Sequence, residues 1–259
     1  MNINDLGTQL LYTTVPILIN KEGNTISTGT GFIFSVTNKE ENVTIPMLVT
    51  NYHVVKGTSS GCFEIHLAEN NLPTKKTVRV SFNRDIISNN KLGDLDLIAI
   101  PLASTLNDLA KRDIMVFYRT VDQNLIPSEE QVSALSALEN ICFIGYPSGI
   151  YDGVNKLPVI RQGITATPIW NDFNGEYKFL IDGGVYPGSS GSPVFICNQG
   201  AYSCNSGIVV GSRLYFVGII SDTYQRENTT SKAYLNLGVV ISSRAFLDEL
   251  KKLIDRLKK

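Results

Sequence analysis

The 259-residue sequence predicts an all-β protein closed by one C-terminal α-helix. Three observations carry this expectation. Short apolar runs recur along the chain with Gly, Asn and Pro between them. Strand–helix alternation of the kind a parallel sheet requires is missing, and only the last segment holds a helical period over several turns. Many short strands at this spacing build a sandwich or barrels.

In chain order the strand-like runs include Gly31–Phe34, Met47–Val49, Leu97–Ile100, Phe143–Ile144, Leu180–Ile181, Tyr215–Ile220 and Val239–Ile241. Leu106–Lys111 reads as a short helix after the run at Leu97–Ile100. Thr120–Glu139 is polar, contains Pro127-Ser128-Glu129-Glu130-Gln131, and is the candidate connection between two halves. The expected division is therefore 1–120, 121–241 and a helix over 242–259, acting as one unit. Within that helix Phe246, Leu247, Leu250, Leu253, Ile254 and Leu257 recur at three- and four-residue intervals. Such a stripe packs on the body of the protein. Ser242 or Ser243 suits its N-cap, and the terminal basic residues suit its dipole.

Composition narrows the function classes. The chain is 43% hydrophobic and 18% charged, which fits a folded globular protein. A net charge of −1 provides no general attraction to nucleic acid or to an anionic membrane. The apolar stretch Leu10–Ile19 is interrupted by Thr13, Thr14 and Pro16 and has no positive charge before it, so neither a signal peptide nor a membrane span is expected. The expected location is cytoplasmic. Cys62, Cys142, Cys197 and Cys204 form no CxxC pair or His–Cys cluster, so no metal or other cofactor is expected. Cys197 and Cys204 flank a short polar loop that an oxidising compartment would let them close, but free thiols are the expectation.

The chemistry concentrates in Gly188-Ser189-Ser190-Gly191-Ser192-Pro193, where glycines let the backbone approach a substrate carbonyl beside a serine hydroxyl. Alone this is also the composition of an ordinary serine-rich turn. Hydroxyl attack needs a base, and His53 follows the apolar run in Leu48-Val49-Thr50-Asn51-Tyr52-His53. His66, the other histidine, sits in Phe63-Glu64-Ile65-His66-Leu67 and reads as a strand residue. The base needs an orienting acid, and Gly93-Asp94-Leu95-Asp96-Leu97 offers two carboxylates on one side of an extended segment. Asp96 directly precedes the apolar run that can pin it, whereas Asp94 reads as a solvated turn residue.

These blocks resemble the chymotrypsin-like serine peptidases, and in particular the trypsin-like peptidase domains of bacteria. The similarity also covers Thr28-Gly29-Thr30-Gly31-Phe32, Gly145-Tyr146-Pro147, Val217-Gly218-Ile219-Ile220-Ser221 and Gly238-Val239-Val240-Ile241. The resemblance implies two packed six-stranded antiparallel β-barrels with a crevice between them. His53 and Asp96 would come from the first and Ser190 from the second. It further implies an oxyanion hole from the N–H groups of Gly188 and Ser190, and Ser221 supporting Asp96. Ser221, Asp222 and Thr223 would pair with an extended protein or peptide substrate, or simply end a core strand. Gly184 would lie at the floor of the primary specificity pocket and Gly238 on its wall. With no acid assigned to that pocket, a neutral, apolar residue before the scissile bond is expected, Asp222 being the group that could reverse this. Ser189 stands where zymogen peptidases carry the aspartate that receives a new N-terminus, so activation by N-terminal cleavage is not expected. The expected activity is that of a serine endopeptidase. The rival is a silent or partner-gated binding module on the same fold, and a regulatory protein partner is left open.

Overall fold

A computed structural model describes residues 2–21, 24–38, 43–204, 207–228 and 231–257. The first half carries β1 (Thr14–Lys21), β2 (Asn24–Asn38), β3 (Val43–Asn51), β4 (Ser60–Glu69), β5 (Leu72–Asn83), β6 (Leu97–Pro101) and the two-residue strands β7 (Val116–Phe117) and β8 (Val121–Asp122). Helices α1 (Leu6–Leu11), α2 (Tyr52–Val55), α3 (Arg84–Asn89) and α4 (Ala103–Lys111) lie before and between them. Helix α4 contains the short helix expected at Leu106–Lys111 and begins three residues earlier.

The six longer strands run in the order β5-β4-β1-β2-β3-β6, while β7 pairs with β4 and β8 with β2, making an eight-stranded sheet. The pairings along the path are antiparallel, whereas the short β8 runs parallel to β2. Alternation explains the packing. Phe32 and Phe34 of β2 face one side, and Ile33 faces the other with Ile17, Leu48 and Ile98.

The second half contains α5 (Glu129–Ser133), β9 (Asn140–Gly145), β10 (Val159–Thr165), β11 (Lys178–Asp182), β12 (Pro193–Asn198), β13 (Ala201–Cys204), β14 (Gly207–Val210), β15 (Arg213–Asn228) and β16 (Ser231–Ser242). Six of these strands close a barrel in the order β10-β11-β16-β15-β12-β9. Strands β13 and β14 form a separate hairpin that the sequence reading did not anticipate. The capping box of α5, in which Ser128 and Gln131 exchange side-chain and backbone bonds, sets a helical turn inside the polar connection.

Strand β9 shows why the two halves are one body. Ile141 and Phe143 point into the barrel, whereas Cys142 and Ile144 point into a core shared with Phe32, Phe34 and Phe216. Helix α6 (Ser243–Leu257) completes that shared core. Its Phe246, Leu250 and Leu253 are buried, and the Phe246 ring meets Phe34 edge-on at 5.0 Å. Ser242 stands immediately before the helix, and the final two lysines lie outside the described residues. Among the described residues, no helix is long and apolar enough to cross a membrane.

None of the four cysteines forms a disulfide. Cys197 pairs with Cys142 across β9 and β12. The hydrogen bond between the two thiols, together with burial, pushes Cys142 far up, and the same bond holds Cys197 down at about 7.

Candidate active site

Strand β3 delivers His53 by ending abruptly. Its last residues are fully packed, and the chain turns at Asn51 into the short helix α2, leaving the imidazole 45% exposed. The adjoining strand β6 delivers the acid in the same way, since its four buried residues Leu97–Ile100 anchor the segment just after Asp96. Four bonds lock these two ends together. The Tyr52 N–H (3.0 Å) and the Asn51 side-chain amide (2.9 Å) donate to the Asp96 carbonyl. One carboxylate oxygen of Asp96 accepts the His53 backbone N–H at 2.9 Å. The other lies 2.5 Å from His53 Nδ1. A carboxylate there stabilises the tautomer with its proton on Nδ1 and leaves Nε2 with a free lone pair. Asp94 instead lines a cavity of about 790 Å³ beside Asp96, together with Glu176, Tyr177, Arg244, Asp248 and Glu249. His66 is buried in the sheet, its ring nitrogens facing the carbonyls of Thr74 and Lys156.

Ser190 arrives from the other half on the turn between β11 and β12. Gly188 and Gly191 hold φ of +88° and +89°, which only glycine adopts without strain. Space excludes a side chain as well. A Cβ on Gly188 would come within 2.6 Å of the Tyr146 carbonyl oxygen, and one on Gly191 would overlap the Thr30 carbonyl oxygen.

Thr30 joins the two halves, a role the sequence signalled only through the motif around it. Its N–H donates to the Ser190 carbonyl at 2.8 Å, and its hydroxyl donates to the Gly188 carbonyl at 2.9 Å and accepts the Tyr146 N–H at 3.0 Å. Its carbonyl accepts the Thr50 hydroxyl at 2.7 Å. The preceding Gly29 is wedged between the His53 and Ser190 segments. A Cβ there would touch Val54 at 2.7 Å and the Ser190 carbonyl at 3.2 Å.

The serine turn is braced from a third side. The Pro187 carbonyl accepts the Ser148 N–H at 2.5 Å, with Ser148 at a φ of +51°. In a trans peptide the next N–H points opposite to that carbonyl, so the Gly188 N–H is turned away from Ser148. The Ser190 hydroxyl donates to the Ser221 carbonyl at 3.3 Å instead of to the imidazole. The Ser221 hydroxyl bonds the Val239 carbonyl at 3.4 Å, so it does not support Asp96.

Ser221, Asp222 and Thr223 lie on β15 beyond the point where β12 leaves it, the last β12 pair being Pro193–Ile219. Their other side pairs with β16, Asp222 facing Val239 and Thr223 facing Gly238. The Thr223 N–H is covered by the Asp222 carboxylate at 2.7 Å. Gly184 and Gly238 sit at the end of the barrel, where a Cβ on Gly238 would overlap Val185 and one on Gly184 would overlap the Arg161 guanidinium. Among the described residues, no three His, Cys, Asp or Glu side chains gather in a metal-binding group.

Residues 29–202 match the family described as the trypsin-like peptidase domain. No curated protein matches the chain. Among solved structures, the chain is similar to the HtrA-type protease AlgW with a decapeptide, at 12% identity and a TM-score of 0.55. That likeness covers 96% of this chain but only 66% of the AlgW chain, and at such identity it concerns the fold alone. An inactive serine-to-alanine mutant of Rv3671c from M. tuberculosis H37Rv aligns at 13% identity over 97% of this chain and 91% of its own, with a TM-score of 0.44.

Proposed function

Because the chain belongs to the trypsin-like peptidase domain family, we propose that it is a serine endopeptidase whose reaction runs through Ser190, His53 and Asp96. In this reading the first strand path curls into a second barrel, and residues 1–120, 121–241 and 242–259 work as one peptidase unit. The observation that carries the proposal is the double engagement of Asp96 with the backbone and the ring of His53. That pairing holds the imidazole in the tautomer a general base requires.

To react, the Ser190 hydroxyl leaves the Ser221 carbonyl by rotation about its Cα–Cβ bond and turns to His53 Nε2. Ser190 Oγ then attacks the scissile carbonyl while Nε2 takes its proton. The Gly188 and Ser190 N–H groups receive the oxyanion, a contribution of about 3–4 kcal/mol per donor in serine proteases. His53 passes the proton to the leaving amine, the acyl-enzyme forms on Ser190, and water activated by His53 releases it. An extended peptide adds as a strand along Ser221–Thr223, where β12 no longer covers β15. The decapeptide in the AlgW structure is consistent with a peptide substrate here.

A second reading, a gated or silent binding module, draws on one observation. The Ser190 hydroxyl and the Thr223 N–H are both occupied by groups of the chain itself. Fluorophosphonate labelling separates the two. The peptidase reading expects labelling that is abolished in Ser190→Ala and strongly slowed in Asp96→Asn. Wild-type protein that reacts no faster than Ser190→Ala, beside a control protease that labels, leaves the binding module standing.

A further inference from the structure

Among the described residues, Arg161 is a cation with no hydrogen-bond or ion-pair partner, and it lies beside Gly184, where the floor of the specificity pocket is expected. It belongs to β10 and pairs with Phe143 of β9. Residues directly opposite in an antiparallel pair share a face, and the Phe143 side chain is in the barrel core. Arg161 therefore points toward the interior and reaches up at the barrel's end. Its guanidinium occupies the space that a Cβ on Gly184 would fill and stacks over the Tyr186 ring at 5.1 Å. Among the described residues, no hydrogen bond or ion pair engages it, and Asp182, two residues before Gly184, makes none with it.

The loop that this guanidinium touches is fixed to the barrel. The segment Gly183–Ser189 crosses the end of the barrel, tied to β16 by the Gly183 N–H on the Asn236 carbonyl at 3.1 Å. Val185, 2% exposed, closes the wall beside Gly238. In the peptidase reading, a side chain entering between this segment and Ser221–Thr223 would meet Val185 on the wall and the Arg161 guanidinium beside Gly184 at the floor. We propose that Arg161 selects an acidic residue, Glu or Asp, immediately before the scissile bond. The inference rests on the peptidase reading above and replaces the expectation of an apolar residue at that position.

The physical basis is the missing counter-ion. A carboxylate supplies a planar, bidentate partner to a guanidinium already held in place by ring stacking. A neutral side chain would displace water from that guanidinium without replacing its hydrogen bonds, and a lysine would add like-charge repulsion.

The test is a cleavage profile on peptides varied only at the residue before the scissile bond, for wild type, Arg161→Gln and Arg161→Glu, with fluorophosphonate labelling of each. Wild type is expected to favour Glu or Asp over Leu by about tenfold or more in kcat/KM. Arg161→Gln should bring that ratio to within about threefold, and Arg161→Glu should turn preference toward Lys. Labelled protein that prefers Leu or Lys, or Arg161→Gln that labels and keeps an acidic preference, overturns the assignment while the peptidase reading survives. Wild type that does not label removes both. If the variants fail to fold, peptidyl phosphonates ending in Glu or Leu decide on wild type alone, and equal inactivation rates refute the proposal.

Discussion

Replacing Thr30 by valine removes one hydroxyl and keeps the shape, which makes it the sharpest probe of how the two halves are joined. The hydroxyl donates to the Gly188 carbonyl and accepts the Tyr146 N–H. Thr30 has no exposed surface and Tyr146 is 2% exposed, so water cannot replace the bond to the Tyr146 N–H, whereas the Gly188 carbonyl is only half-buried. The buried N–H left unpaired costs about 1–3 kcal/mol and the lost bond to the half-buried carbonyl about 0.5–1.5 kcal/mol, together about 1.5–4.5 kcal/mol. The added methyl group returns about 1 kcal/mol of apolar burial. The expected net loss is about 0.5–3.5 kcal/mol, read by urea denaturation. The Gly188 carbonyl is freed at the same time, so fluorophosphonate labelling of folded Thr30→Val should also slow. Thr30→Ser keeps both bonds, loses one methyl at about 1 kcal/mol, and should label at the wild-type rate. Thr30→Val that matches Thr30→Ser in stability and labels like wild type would refute this reasoning.

Three further expectations follow from the same geometry. Gly191→Ala should cost more than about 4 kcal/mol, since its Cβ would overlap the Thr30 carbonyl. Gly57→Ala, at φ +78° with nothing within 4 Å, should cost only about 1 kcal/mol of backbone strain; equal melting shifts would sink the distinction. Asp222→Ala uncovers the Thr223 N–H and should tighten binding of a substrate peptide several-fold, visible as a lower KM at unchanged kcat; a higher KM would contradict it. Cys197 is held near 7 by Cys142, below the ordinary thiol value of 9.0. Its thiolate therefore forms as pH rises through about 7, and alkylation by iodoacetamide should climb between about pH 6 and 8 and flatten above. Cys142→Ala should move that rise toward pH 9, and a rise already centred there in wild type would disprove the pairing.

Periodicity and turn chemistry were local properties, and they were legible. Apolar runs bounded by Gly, Asn and Pro identified the β class, and the stripe from Phe246 to Leu257 identified the terminal helix. Both follow from side-chain spacing along a single segment. The family match spans residues 29–202, which include His53, Asp96, Ser190 and the positive-φ glycines Gly188 and Gly191.

What spacing along the chain did not contain was the partner of each group. Ser221 was expected to support Asp96, yet its hydroxyl turns to Val239, because the β15–β16 ladder sets which way that side chain faces. Cys197 met Cys142 because β9 and β12 are neighbours in a closed barrel. Thr30 and Arg161 carry no mark of their own in the sequence. The first acts by bonding residues up to 160 positions away, and the second by reaching a glycine on a loop across the barrel. The amino-acid order by itself determined the class of fold, its closing helix and the residue types available for chemistry, since these depend on local geometry and apolar spacing. Only the tertiary structure decided which donor meets which acceptor and where a charge is left unpaired, since those depend on distances that strand register and barrel closure create.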